Sequence, residues 1–82
     1  MGKYLPLENY LKNLKANEIS FTFEEIEKII GGKLPPSANK YSQWWENDKS
    51  HVQAKAWLNT GWKAVNSSEA ILNLKVKFNR VD

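Results

Sequence analysis

Acid–base or nucleophilic chemistry at neutral pH needs a side chain that exchanges a proton there, and this chain offers one histidine, His51, and no cysteine. Ser50 and Gln53 around it read as a capping box, so His51 belongs to the first turn of a helix, beside Asp48. No paired carboxylates accompany it, because Glu24, Glu25 and Glu27 fall at the start of another helix, where the dipole favours anions. Gly31-Gly32 ends a helix and does not open one, so there is no phosphate-cradling glycine loop. Without thiolates and with a single imidazole, neither a disulfide nor an all-protein zinc site is expected. The chain reads as a non-enzyme without cofactor or metal.

Its distinctive chemistry is aromatic. All four tryptophans lie between Trp44 and Trp62. Each has a large apolar area and an N–H that needs a partner when buried, so some should fill the core and others sit at its margin. Rings beside cations and amides suit a surface that grips bases. The candidate nucleic-acid residues are Ser37, as a helix N-cap, with Asn39, Lys40, Gln43, Trp44, Lys49, His51, Lys55 and Lys63. Lys75 and Lys77 would line an outer strand as a wing does. The plainer alternative is a solvated helix face and an edge strand guarded by lysine.

A second arrangement places Trp44 or Trp45, Asn47, His51, Gln53 and Trp62 around a small planar or nucleotide-like ligand. Against it stands a core filled by the indoles, with Asn47 and Asp48 as caps. A third use of exposed tryptophan is a protein contact or a homodimer.

Charge follows the aromatics. Residues 1–39 carry five lysines and five acids, while residues 40–82 carry seven basic residues and four acids, so the whole surplus of +3 lies in the tryptophan half. An anionic partner agrees with this, and so does a merely solvated surface. Eighty-two residues with 41% hydrophobic content make one globular domain, 1–82. The N-terminus has no signal-peptide run and no stretch has transmembrane length, so a cytoplasmic protein without membrane contact is expected.

These residues must be positioned by elements the pattern announces. Pro6, then Leu7, Tyr10, Leu11 and Leu14 at helical spacing, predict a helix over 6–16, followed by an extended piece at Glu18–Phe21. Thr22 and Glu25 form a capping box for a helix with Phe23, Ile26, Ile29 and Ile30 inward, closed by Gly31. Ser37 opens a third helix to about Trp45, and a fourth runs from His51 to about Thr60 with Val52 and Ala56 inward. The C-terminus reads as a hairpin, with a short strand from Trp62, a turn at Asn66–Glu69, and a strand with Leu72, Leu74, Val76 and Phe78 inward.

The order predicts an α+β fold like a winged helix-turn-helix, with three or four helices on a small antiparallel sheet that ends in a hairpin. The helices at 23–30 and 37–45 would be the helix-turn-helix pair, and the helix at 51–60 is the other candidate for the recognition position, with 37–45 as an insert. Beyond this, Pro6-Leu7-x-x-Tyr10-Leu11, Thr22-Phe23-x-Glu25-Ile26-Glu27-x-Ile29-Ile30-Gly31 and Leu34-Pro35-x-Ser37-Ala38 resemble a family of small bacterial and phage domains of unknown function. So do Trp44-Trp45-x-Asn47-Asp48, His51-x-Gln53-Ala54-x-Ala56-Trp57-Leu58-x-x-Gly61-Trp62 and Val76-x-Phe78-x-Arg80. The resemblance spans nearly the whole chain and implies membership but no activity. Similar chains tend to carry arginine near position 40, where this one has Asn39-Lys40.

Overall fold

Capping chemistry sets the first third of the molecule. The computed structural model describes residues 2–81. Helix α1 spans Leu5–Asn13, with Pro6 in its first turn and Leu7 and Leu11 buried. It ends before residue 16 because Leu14 turns extended to lead into β1, Glu18–Thr22. Helix α2, Phe23–Ile30, starts on the expected reciprocal box: Glu25 N–H donates to Thr22 Oγ1 at 3.0 Å and Thr22 N–H donates to Glu25 Oε1 at 2.8 Å. Gly31 closes it at φ +72°, a conformation that costs a glycine nothing. Glu27 lies past the first turn and has a different task from the dipole role. Its Oε2 accepts the Leu34 N–H at 2.9 Å and ties the following turn to α2.

The helix expected over 37–45 is two pieces. Helix α3 spans only Pro36–Lys40, with Pro35 in the cap position and Pro36 opening the helix, so Ser37 caps nothing. Tyr41 is extended, at φ −121° and ψ 123°, and a 3-10 turn follows at Ser42–Trp45. Packing explains the break. The Trp45 indole N–H donates to the Ala38 carbonyl at 2.9 Å, both residues being fully buried. In a continuous helix these residues would stand about 10 Å apart along the axis, with that carbonyl engaged by Ser42.

Helix α4, Val52–Leu58, also lacks its expected capping box. The Ser50 N–H and hydroxyl both donate to Asp48 Oδ1, at 2.9 and 2.7 Å, while Gln53 Nε2 reaches the Trp44 carbonyl at 3.0 Å. The nearer aspartate turn wins over the cap. Ala54, Ala56 and Trp57 are buried, whereas Val52, expected inside, is 61% exposed.

Strand β2, Trp62–Ala64, helix α5, Ser67–Asn73, and strand β3, Lys75–Arg80, complete the chain. The sheet is antiparallel in the order β1-β3-β2. Helix α5 replaces the expected turn and the first residues of the expected strand. Asn66 explains why: its side chain accepts from the Lys77 N–H at 2.8 Å and donates to the Lys75 carbonyl, fixing where the second arm begins. Residues 67–73 then have no ladder partner, and a helix satisfies their backbone groups. Leu72 and Leu74 are consequently exposed, while Val76 and Phe78 are buried as the alternation predicts. Because β3 is the central strand, Lys75 and Lys77 guard no edge.

The core gathers Trp45, Trp57, Trp62, Phe78, Leu7, Leu11, Ile26 and Val76, all essentially without exposure. Each enclosed indole has a partner: Trp57 N–H donates to Asn47 Oδ1 at 2.9 Å and Trp62 N–H to the Leu11 carbonyl at 3.1 Å. Arg80 stacks 4.6 Å from the centre of the Trp62 ring and donates to the Ala16 and Leu14 carbonyls. Among the described residues no helix is long and apolar enough to cross a membrane.

Candidate functional site

Trp44 is the one tryptophan the core does not enclose. Two adjacent side chains in a 3-10 turn point about 120° apart, so Trp44 and Trp45 cannot both face inward. Trp45 takes the core, and Trp44 packs edge-on against it with centroids 4.6 Å apart. Tyr4 buttresses Trp44 from another side at 5.8 Å, and burial there pushes the Tyr4 phenol pKa up. Gln53, buried on α4, holds the Trp44 carbonyl. The ring is thus held by its neighbours while one side remains open.

That side borders a shallow groove of about 430 Å3, lined by Ser37, Tyr41, Gln43, Trp44, His51 and Gln53. Tyr41, on the extended link between α3 and the 3-10 turn, is 50% exposed, and Lys40 Nζ lies 5.5 Å from its ring centre. His51 Nδ1 is enclosed and makes no hydrogen bond. The neighbouring Asp48 carboxyl is held below the usual aspartate range, first by the Ser50 N–H, then by the Ser50 hydroxyl, with the His51 charge a smaller contribution.

Of the nine candidate nucleic-acid residues, Ser37, Gln43, Trp44 and His51 come together in this groove, with Lys40 at its margin. The others do not join them. Asn39 lines a separate depression with Thr22, Glu24, Glu27, Asn73 and Leu74. Lys55 borders another, beside Tyr4, Leu5, Glu8 and Asn59. Lys63 projects from β2 in register with Asn79, and Lys49 is exposed in the loop before α4. The single lysine-and-tryptophan surface expected from the sequence is therefore divided by the fold.

Of the residues expected around a small ligand, Trp44, His51 and Gln53 line the groove, and the others do not. Trp45 and Trp62 are enclosed, and Asn47 turns its amide inward. Its Oδ1 accepts from Trp57 Nε1 and from the Ala64 N–H at 2.8 Å, and its Nδ2 donates to the Ala64 carbonyl at 2.8 Å. This clamp escaped sequence reasoning, since Asn47 resembles an ordinary cap and its partners lie 10 and 17 residues away. Tyr41 was missed as a lining residue because a continuous helix would have turned it inward. Among the tryptophans, a protein contact through an exposed indole is left with Trp44.

Chemically, the groove can stack a flat ring against Trp44 or Tyr41 and meet its edges with hydroxyl, amide and imidazole groups. Its lining has no lysine, arginine or carboxylate, and Lys40 stands at its margin against Tyr41. Among the described residues no group of three or more His, Asp or Glu side chains is placed to hold a metal ion.

The chain belongs to a family described as a domain of unknown function (DUF7662), which matches residues 4–76. No curated protein and no solved structure matches it. The matched span begins at Tyr4, the buttress of Trp44, and stops two residues before the buried Phe78.

Proposed function

We propose that this domain is a non-enzymatic nucleic-acid-binding module that stacks unpaired bases on Trp44 and Tyr41. The observation that carries the reading is the half-buried Trp44, braced by Tyr4 and Trp45 and open to a groove with a second exposed ring. A braced aromatic ring loses little entropy on binding, and each base stacked on such a ring contributes about 1–3 kcal/mol. Single strands are favoured over duplex, because bases in a duplex already stack on each other. Helix α3 is also only five residues long, too short a rod to read a major groove. Gln43, Ser37 and His51 would meet base edges. With one imidazole whose Nδ1 is enclosed, the groove suits binding better than proton transfer.

The frame supports a relation to winged helix-turn-helix domains. Helix, strand, helices, strand, strand with the order β1-β3-β2 is their arrangement. Helix α5 stands where the loop of a wing would be, and α4 occupies the place before β2 that a recognition helix takes. Here α4 packs against α1, which argues for the groove over that helix as the contact.

Tryptophan fluorescence tests the proposal. An oligothymidylate should quench Trp44 more strongly than a matched duplex, and Trp44→Ala should weaken the single-strand complex about 5- to 150-fold. No response to either strand at low salt would sink it. The groove volume, within the range of small-molecule sites, supports a second reading, a mononucleotide ligand. In that case a nucleoside monophosphate would bind as tightly as the longer strand.

A further inference from the structure

Beyond the groove, the surplus charge of the chain has its own address. Cross-strand partners point to the same side of a sheet. Because Lys63 pairs with Asn79 while Ala64 and Phe78 are buried, Lys63, Lys75, Lys77 and Asn79 share the outer face, opposite the core. Glu18 and Ser20 of β1 join them through their pairing with Asn79 and Lys77. No residue on this face is buried. Three lysines against one glutamate give it +2, two thirds of the net +3 of the chain. Glu18 comes 3.7 Å from Lys77 across a solvated gap, and among the described residues no acid pairs with Lys63 or Lys75.

We propose that this face is the track for the phosphate backbone of the strand whose bases enter the Trp44 groove. The inference rests on the nucleic-acid reading above and adds the surface that reading lacks, since the groove lining itself holds no lysine or arginine. Two features favour it over an acidic protein partner. Lys75, Lys77 and the Asn79/Lys63 pair lie two residues apart along β3, so cations step forward by about 7 Å, a linear array suited to successive phosphates. The segment that carries Trp44 also reaches the edge of this sheet. The loop that leaves the 3-10 turn is bonded through Asn47 to both backbone groups of Ala64, next to Lys63, along the free edge of β2.

Anisotropy titrations of an oligothymidylate 20-mer over a salt series, with thymidine monophosphate as the short probe, test this. Three released counterions change the slope of log K against log salt by about 2 for a single strand. Changing Lys63, Lys75 and Lys77 together to glutamine should flatten the 20-mer slope by that amount and leave monophosphate binding unchanged. The matching arginine triple should restore the slope, and Glu18→Gln should tighten the 20-mer complex. These side chains are exposed or half-exposed, and unchanged circular dichroism would confirm that each variant folds. An unaltered slope in the glutamine triple overturns the track while leaving any Trp44→Ala effect, and hence the groove, standing. If Trp44→Ala binds both probes normally but the triple loses its slope, the groove falls and the cationic face remains. Competition by polyglutamate as strong as by oligonucleotide would assign the face to an acidic protein and overturn the proposal.

Discussion

Trp44 and Trp57 both pack on Trp45, yet the molecule uses them in opposite ways. Trp57 stacks at 6.2 Å and 16°, has no exposure, and gives its indole N–H to Asn47. Trp44 meets the same ring edge-on, is gripped by its backbone carbonyl and its flanks, and keeps a side in the groove. Size and hydrophobicity do not distinguish two identical side chains. The difference lies in what holds each ring: Asn47 takes the indole N–H of an enclosed Trp57, while the neighbours of Trp44 fix its place and leave its outward side free. Large rings held in this second manner are candidates for work outside the core.

The comparison breaks most visibly in stability. Trp57→Ala should destabilise the domain by about 3–5 kcal/mol, a cavity that a chain of this size barely survives, read as a collapse of the urea midpoint. Next comes Asn47→Ala, which strips a partner from Trp57 Nε1 and from both backbone groups of Ala64. A loss of about 2–4 kcal/mol is expected, and Asn47→Asp, which keeps the acceptor, should recover part of it. Trp44→Ala should cost only about 1 kcal/mol, a melting shift of roughly 4–8 °C, while removing ligand response. A Trp44 penalty as large as that of Trp57 would erase the distinction drawn between them.

The smallest effect concerns acid. Asp48 is held below the ordinary aspartate pKa, so its contribution to stability is present above the unfolded value and is lost as pH falls through the lower folded value. Titration of its carboxyl carbon by NMR should show the depressed midpoint. Ser50→Ala should raise it part of the way back and leave behaviour at neutral pH unaltered.

How far the sequence alone reached can be seen in particular residues. Thr22, Glu25 and Gly31 were legible because their partners lie within a few positions, and local chemistry decides them. The helix break at Tyr41 was not, because it follows from where the Trp45 indole must find its carbonyl once the core closes. Leu72 and Leu74 alternate as a strand does, but Asn66 starts the ladder at Lys75 and strands them outside. Five of the six groove residues were found through the aromatic–amide composition of 37–53, Tyr41 being the exception. Lys55 and Lys63 were grouped with them by proximity along the chain, which says little about which side of a helix or sheet a residue will occupy. The surplus lies in residues 40–82 as counted, and three of its lysines gather on one face of the sheet, a grouping that only the strand register reveals.

Arg80 has a consequence for how the chain comes to be folded. Its bonds to Ala16 and Leu14 span 64 and 66 residues, and the Trp62 indole reaches back 51 residues to Leu11. During synthesis the first helix meets α2, then α4 and Trp62, but the stretch that follows it gains the Arg80 bonds only once β3 has emerged. At ordinary translation speeds that wait is on the order of ten seconds. The chain after α1 thus waits for its last bonds until β3 has been made, a delay that a fold built from neighbouring contacts would not have.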